Sequence, residues 1–140
     1  NSLPEQNGKD NPLIKMEIPE NLPDVFADSK RLRQVIGNLL DNAVTNTPSR
    51  GKITIQASQI DSRVEMIIED TGIGIAEKDL PFVFERFYRT DASRARATGG
   101  SGLGLAIVKQ IIEAQKGKIS IESQLGKGTK ICFTLPVFNA

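Results

Sequence analysis

Twice along this chain, a segment with apolar residues at helical spacing is followed by the tripeptide GKI and then by two alternating segments. In the first unit Leu32, Val35, Ile36, Leu39, Leu40 and Ala43 form one broad stripe, and "KITIQAS" and "RVEMIIED" follow. In the second, Leu103, Ile107, Val108, Ile111 and Ile112 recur likewise, and "KISIES" and "KICFTL" follow across the turn "LGKGT". A period near 3.6 marks a helix with one apolar face, and a period of two marks a strand with one. Two helix–strand–strand units are too few for a solenoid. Each face must find cover in a single core, and one mixed or antiparallel sheet with helices stacked on one side provides it.

The rest of the chain fits around that frame. Residues 1–12, "NSLPEQNGKDNP", are polar with two prolines and read as a linker or cut end, leaving 13–140 as one domain. "LIKMEI", from Leu13, alternates as a strand closed off by Pro19 and Pro23. Asp28 is the expected N-cap of the first helix, which Asn46, Pro48 and Gly51 end. The stretch from Ala76 to Tyr88 holds a brief helix, and "RTDASRARATGGSG" (Arg89–Gly102) lacks any large apolar residue and is expected to be weakly ordered. The count is five strands and three helices, one of them short. Cys132, between Ile131 and Phe133, reads as a small core side chain.

Composition removes several functions. There is no histidine, which excludes Ser-His-Asp and Cys-His catalysis and histidine metal sites. Lysine and arginine number 18 against 17 acids, so no overall field attracts nucleic acid. No apolar run approaches the ~20 residues that a membrane helix requires. A single cysteine forms no internal disulfide and suits a reducing, cytoplasmic setting. Chemistry must rest on carboxylates, amides, arginines and bare backbone.

Two glycine clusters supply that backbone, "DTGIGI" at Asp70–Ile75 and "GGSGLGL" at Gly99–Leu105. Asp-Thr-Gly also occurs in dimeric aspartic proteases, but those are almost entirely β, and this chain has two long helices. A dinucleotide turn fails on spacing, because Glu77 and Ile107 stand where a third glycine belongs. No Walker lysine is present. Glycines leading into a helix do suit phosphate, since the first amides of a helix point at an anion. A third element joins them, because Gln34, Asn38 and Asn42 repeat every four residues away from the leucine stripe. Taken singly, either asparagine reads first as a plain surface residue. Together, an amide oxygen suits Mg²⁺ and an amide nitrogen suits phosphate.

The set resembles a known family. "RQVIGNLLDNAVTNTP", "DTGIGI", "FERFYR" and "GGSGLGLAIVK" are similar, in order, to the N, G1, F and G2 boxes of the catalytic ATP-binding domain of sensor histidine kinases. That domain belongs to a wider group with gyrase B, Hsp90 and MutL. The likeness covers roughly residues 13–137, and "GKGTKICFTLP" resembles the family's closing strand. It implies an α+β, two-layer sandwich of the Bergerat type that binds ATP and Mg²⁺. Asp70 would accept from the adenine amino group, with Gly72 and Gly74 letting backbone pass close and Thr129 supporting the base. Asn38 would bind Mg²⁺ and act in catalysis, and Asn42 would contact the phosphates. Gly100, Gly102 and Gly104 would cradle phosphate with Leu103 nearby, while Arg89 would reach it from a lid that Phe84 and Phe87 pack.

Thr45 and Asn46 stand where the family often has a lysine and an aromatic residue or histidine. The N-box helix therefore brings no cation to the phosphates, a role left to lid arginines. The implied reaction passes the γ-phosphate to a histidine on a separate dimerisation domain and thence to a response regulator. This domain itself would be monomeric and touch no membrane. An ATPase or clamp, and an anti-sigma-type serine kinase, share the same pocket and stay open as alternatives.

Overall fold

The computed structural model describes residues 12–23, 25, 28–48, 50–85 and 104–137. The elements are β1 (Leu13–Glu17), α1 (Ser29–Asn46), β2 (Lys52–Ile60), β3 (Arg63–Asp70), a 3-10 turn (Leu80–Phe82), α2 (Gly104–Ala114), β4 (Lys118–Gln124) and β5 (Gly128–Pro136). Both helix–strand–strand units are present. The expected brief helix is the 3-10 turn, so the described residues hold two α-helices rather than three.

Local chemistry explains the boundaries. Asp28 accepts at its side chain from the Lys30 and Arg31 amides, which caps α1 as expected. The Thr47 amide turns back to the Val44 carbonyl, and Pro48 follows. At the end of α2 the Gly117 amide donates to Ile112 O and the Lys116 amide to Glu113 O, closing a Schellman-type end. The left-handed residue there is Lys116, at φ 68°, and not the glycine. Gly117 is required for a different reason, since a Cβ on it would meet Thr134 O at 2.1 Å.

The five strands run in the order β1-β2-β3-β5-β4. β1 pairs with β2 in parallel, and every other pairing is antiparallel. The two repeat units thus meet at β3 and β5 in the middle of the sheet, which is mixed and mostly antiparallel. Val35, Leu39 and Ala43 of α1 and Val108, Ile111 and Ile112 of α2 pack on Ile53, Ile55, Ile68, Ile131, Phe133 and Leu135. Leu39, Ile53 and Ile112 are almost wholly enclosed, and full burial of such side chains contributes about 1.5–3 kcal/mol each.

One expectation needs correcting. Cys132 is not a core side chain, because alternation turns it to the sheet face opposite Ile131 and Phe133. It is half-buried there, with its Sγ donating to Glu65 Oε2 at 3.1 Å.

Candidate functional site

At one end of the sheet, three neighbouring strands change character on their helix-facing side. β3 passes from Ile68 to Asp70, β5 from Ile131 back to Thr129, and β4 from Ile121 to Ser123. The register makes Asp70 the partner of Thr129 and Ser123 the partner of Thr129. The apolar floor of the core therefore ends in a polar row.

Asp70 is 6% exposed. Its Oδ1 accepts from the Gly72 amide at 2.8 Å and the Thr129 amide at 3.3 Å. Burial pushes its carboxyl above the ordinary range, the two amides pull the other way, and Glu69 adds a smaller upward push. Its Oδ2 accepts nothing from the described residues and is not among their sealed, unpartnered atoms. A buried carboxylate with one oxygen fixed and the other open is a directional acceptor for an N–H donor.

The loop after Asp70 is bare because the space is filled. A Cβ on Gly72 would meet Asn46 O at 2.3 Å, and one on Gly74 would meet Gln124 O at 2.1 Å. Gly74 also has φ +77°, which side chains rarely adopt. A Cβ on Gly128, at φ +131°, would likewise meet Asp70 O at 2.0 Å. The Ile73 amide donates to Asn46 O at 3.0 Å, and Ile73 O accepts from the Gly126 amide at 2.9 Å. The loop is thereby fastened to the end of α1 on one side and to the β4–β5 turn on the other.

The α1 amides are placed unequally. Asn46 Nδ2 donates to Asn42 O at 2.9 Å and to Asn42 Oδ1 at 3.3 Å. Asn38 is half-buried, and no hydrogen bond of its side chain occurs among the described residues. Hydrogen bonds join Asp70 to Gly72 and Thr129, and Asn42 to Asn46, which accepts from Ile73 of the same loop; Gly74 lies in that loop, and Asn38 lies one turn before Asn42 on the same helix. Gly104 opens α2 with nothing described within 4 Å of a Cβ position, so packing among the described residues does not demand its bareness. Arg89, Gly100, Gly102, Leu103 and Phe87, with the whole expected lid, lie outside the described residues.

Two participants were missed or misread in the sequence. Ser123 Oγ accepts from the Ile75 amide at 2.7 Å, donates to Gly128 O at 2.8 Å and lies 2.8 Å from Thr129 Oγ1. Its signal was a polar residue continuing the Ile119–Ile121 face of β4. Asn46 reads in the sequence as a helix end and a departure from the family pattern, whereas it bonds Asn42 and accepts from the Ile73 amide.

The donor set fits a nucleotide with a divalent cation. A directional acceptor, close backbone and amide side chains suit a base and phosphates, and an amide oxygen is a hard ligand for Mg²⁺. Among the described residues no cluster of three or more His, Cys, Asp or Glu could hold a metal, and the amide oxygens of α1 are candidate ligands.

Comparison with known proteins shows the family and the fold. The family model "Histidine kinase-, DNA gyrase B-, and HSP90-like ATPase" matches residues 27–139. The chain is 42% identical over 127 residues to the sensor histidine kinase WalK of Bacillus subtilis (strain 168), covering 86% of this chain and 21% of that protein. The mycobacterial sensor histidine kinase MprB superposes with TM-score 0.78 at 36% identity, over 91% of this chain and 86% of that one. Full-length ShkA in complex with AMPPNP superposes with TM-score 0.77 at 36% identity, over 91% of this chain and 26% of that one. The sandwich is the Bergerat-type fold of such catalytic domains. The chain spans well under half the length of the curated kinases it matches.

Proposed function

The chain belongs to the histidine kinase-, DNA gyrase B- and HSP90-like ATPase family, and on that premise we propose that it binds Mg·ATP and phosphorylates a histidine outside itself. The acceptor must come from another segment or molecule, because these 140 residues include no histidine. We assign it to a dimerisation domain of the parent protein, with a response regulator downstream, and place this domain in the cytoplasm. Among the described residues no helix is long and apolar enough to cross a membrane.

The observation that carries the reading is Asp70, held at Oδ1 by two backbone amides with Oδ2 left to accept. In the proposed complex Oδ2 accepts a hydrogen bond from the adenine amino group, Gly72 and Gly74 admit the base, and Thr129 steadies it. Asn38 offers its oxygen to Mg²⁺ and Asn42 its nitrogen to phosphate. Gly104, with Gly100, Gly102 and Leu103, leads the chain past the phosphates into α2, and Arg89 approaches the γ-phosphate. Mg²⁺, when bound, draws charge from the phosphate oxygens, and phosphoryl transfer needs little beyond that and correct positioning. Gln34, one turn before Asn38, offers an amide and no base to activate water.

Radiolabelled ATP offered with and without the parent's histidine-bearing hairpin tests this directly. Transfer to the hairpin with hydrolysis near background is expected. Brisk hydrolysis without transfer would instead place the chain with the ATPases, and transfer to a serine of a regulator with the anti-sigma kinases.

A further inference from the structure

We propose that Asn46 is a positioning residue that sets which end of the Asn42 amide faces the phosphates, an inference that rests on the nucleotide reading above. Asn46 Nδ2 carries two protons and donates to two acceptors of Asn42, lying 2.9 Å from its O and 3.3 Å from its Oδ1. An amide group is planar, with its oxygen and nitrogen on opposite sides. Drawing Oδ1 of Asn42 towards the helix end turns Nδ2 away from it, so the group presented outward is a donor. A phosphate oxygen can only accept, so this orientation is the productive one and its reverse is repulsive.

The same residue couples that donor to the base end of the site. Asn46 O accepts from the Ile73 amide at 3.0 Å, and Gly72 packs so tightly on this carbonyl that a Cβ would approach it to 2.3 Å. One residue thus fixes the Asn42 rotamer through its side chain and the adenine-reading loop through its backbone. The helix end has no lysine at Thr45 to attract phosphate by charge. Orientation of a neutral donor is the means left to it.

The test is a double-mutant cycle on the whole chain, reading calorimetric affinity for Mg·AMPPNP and, separately, for adenosine. Asn46→Ala keeps the backbone carbonyl, and alanine is the best helix former, so the fold is retained. The expected result is a loss of AMPPNP affinity of about two- to tenfold, the worth of one neutral hydrogen bond, with adenosine affinity unchanged. In an Asn42→Ala background the loss should vanish, which a merely structural role would not produce. Asn46→Asp, which keeps the shape and removes the donor, should weaken AMPPNP further and again spare adenosine. Unchanged AMPPNP affinity in Asn46→Ala, an equal loss for adenosine, or a loss that persists without Asn42 would overturn the proposal and leave the nucleotide reading standing. Failure of the unsubstituted chain to bind AMPPNP would overturn both.

Discussion

Asp70 and Thr129 are cross-strand partners on β3 and β5, and the Thr129 amide donates to Asp70 Oδ1 at 3.3 Å. Sheet register therefore fixes the position of the candidate acceptor.

Asp70→Asn separates recognition from stability. Losing a hydrogen bond to a charged acceptor should weaken AMPPNP binding about ten- to a hundredfold. The native carboxyl has its pKa raised, chiefly by burial. Such a group stabilises the fold below its unfolded pKa, and that contribution is lost as pH rises through the folded value. The variant should accordingly melt no lower than the native chain at pH 7, with the difference closing in acid below the ordinary carboxylate range. A large drop in melting temperature at pH 7 would show that the ionised carboxylate supports the fold instead.

Ser123→Ala removes the hydroxyl that joins the loop after Asp70 to the β4–β5 turn. The Ile75 amide and Gly128 O lose their partner, which should destabilise by about 1–3 kcal/mol in a denaturant titration. Adenosine affinity should fall as well, because Thr129 Oγ1 loses its neighbour. Native stability with native affinity would show that water replaces the hydroxyl at no penalty.

Cys132 should react slowly. Burial, then the hydrogen bond and negative charge of Glu65, push its thiol up to about 12. The thiolate is the nucleophile, so maleimide labelling of the folded chain should still be rising at pH 10. Glu65→Gln should accelerate it at every pH below that. A plateau near pH 9 would mean that neither burial nor Glu65 perturbs the thiol.

Sequence alone determined whatever depends on near neighbours. The Asp28 cap, the Val35–Leu39–Ala43 stripe, both hairpins and their order follow from periodicity and caps acting over a few residues, and these were legible. Asp70, Gly72, Gly74 and Thr129 could be named as candidates because the boxes that carry the family resemblance are contiguous. Tertiary structure decided which distant groups share an atom. Ser123 became a junction only because register sets it beside Thr129 while the loop brings the Ile75 amide to it. Asn46 became part of the site only because the end of α1 meets Ile73. Cys132 was misassigned because an apolar neighbour on each side does not say which face a strand buries. That choice belongs to the helices, which cover the side of Ile131 and Phe133 and leave the other side to Glu65.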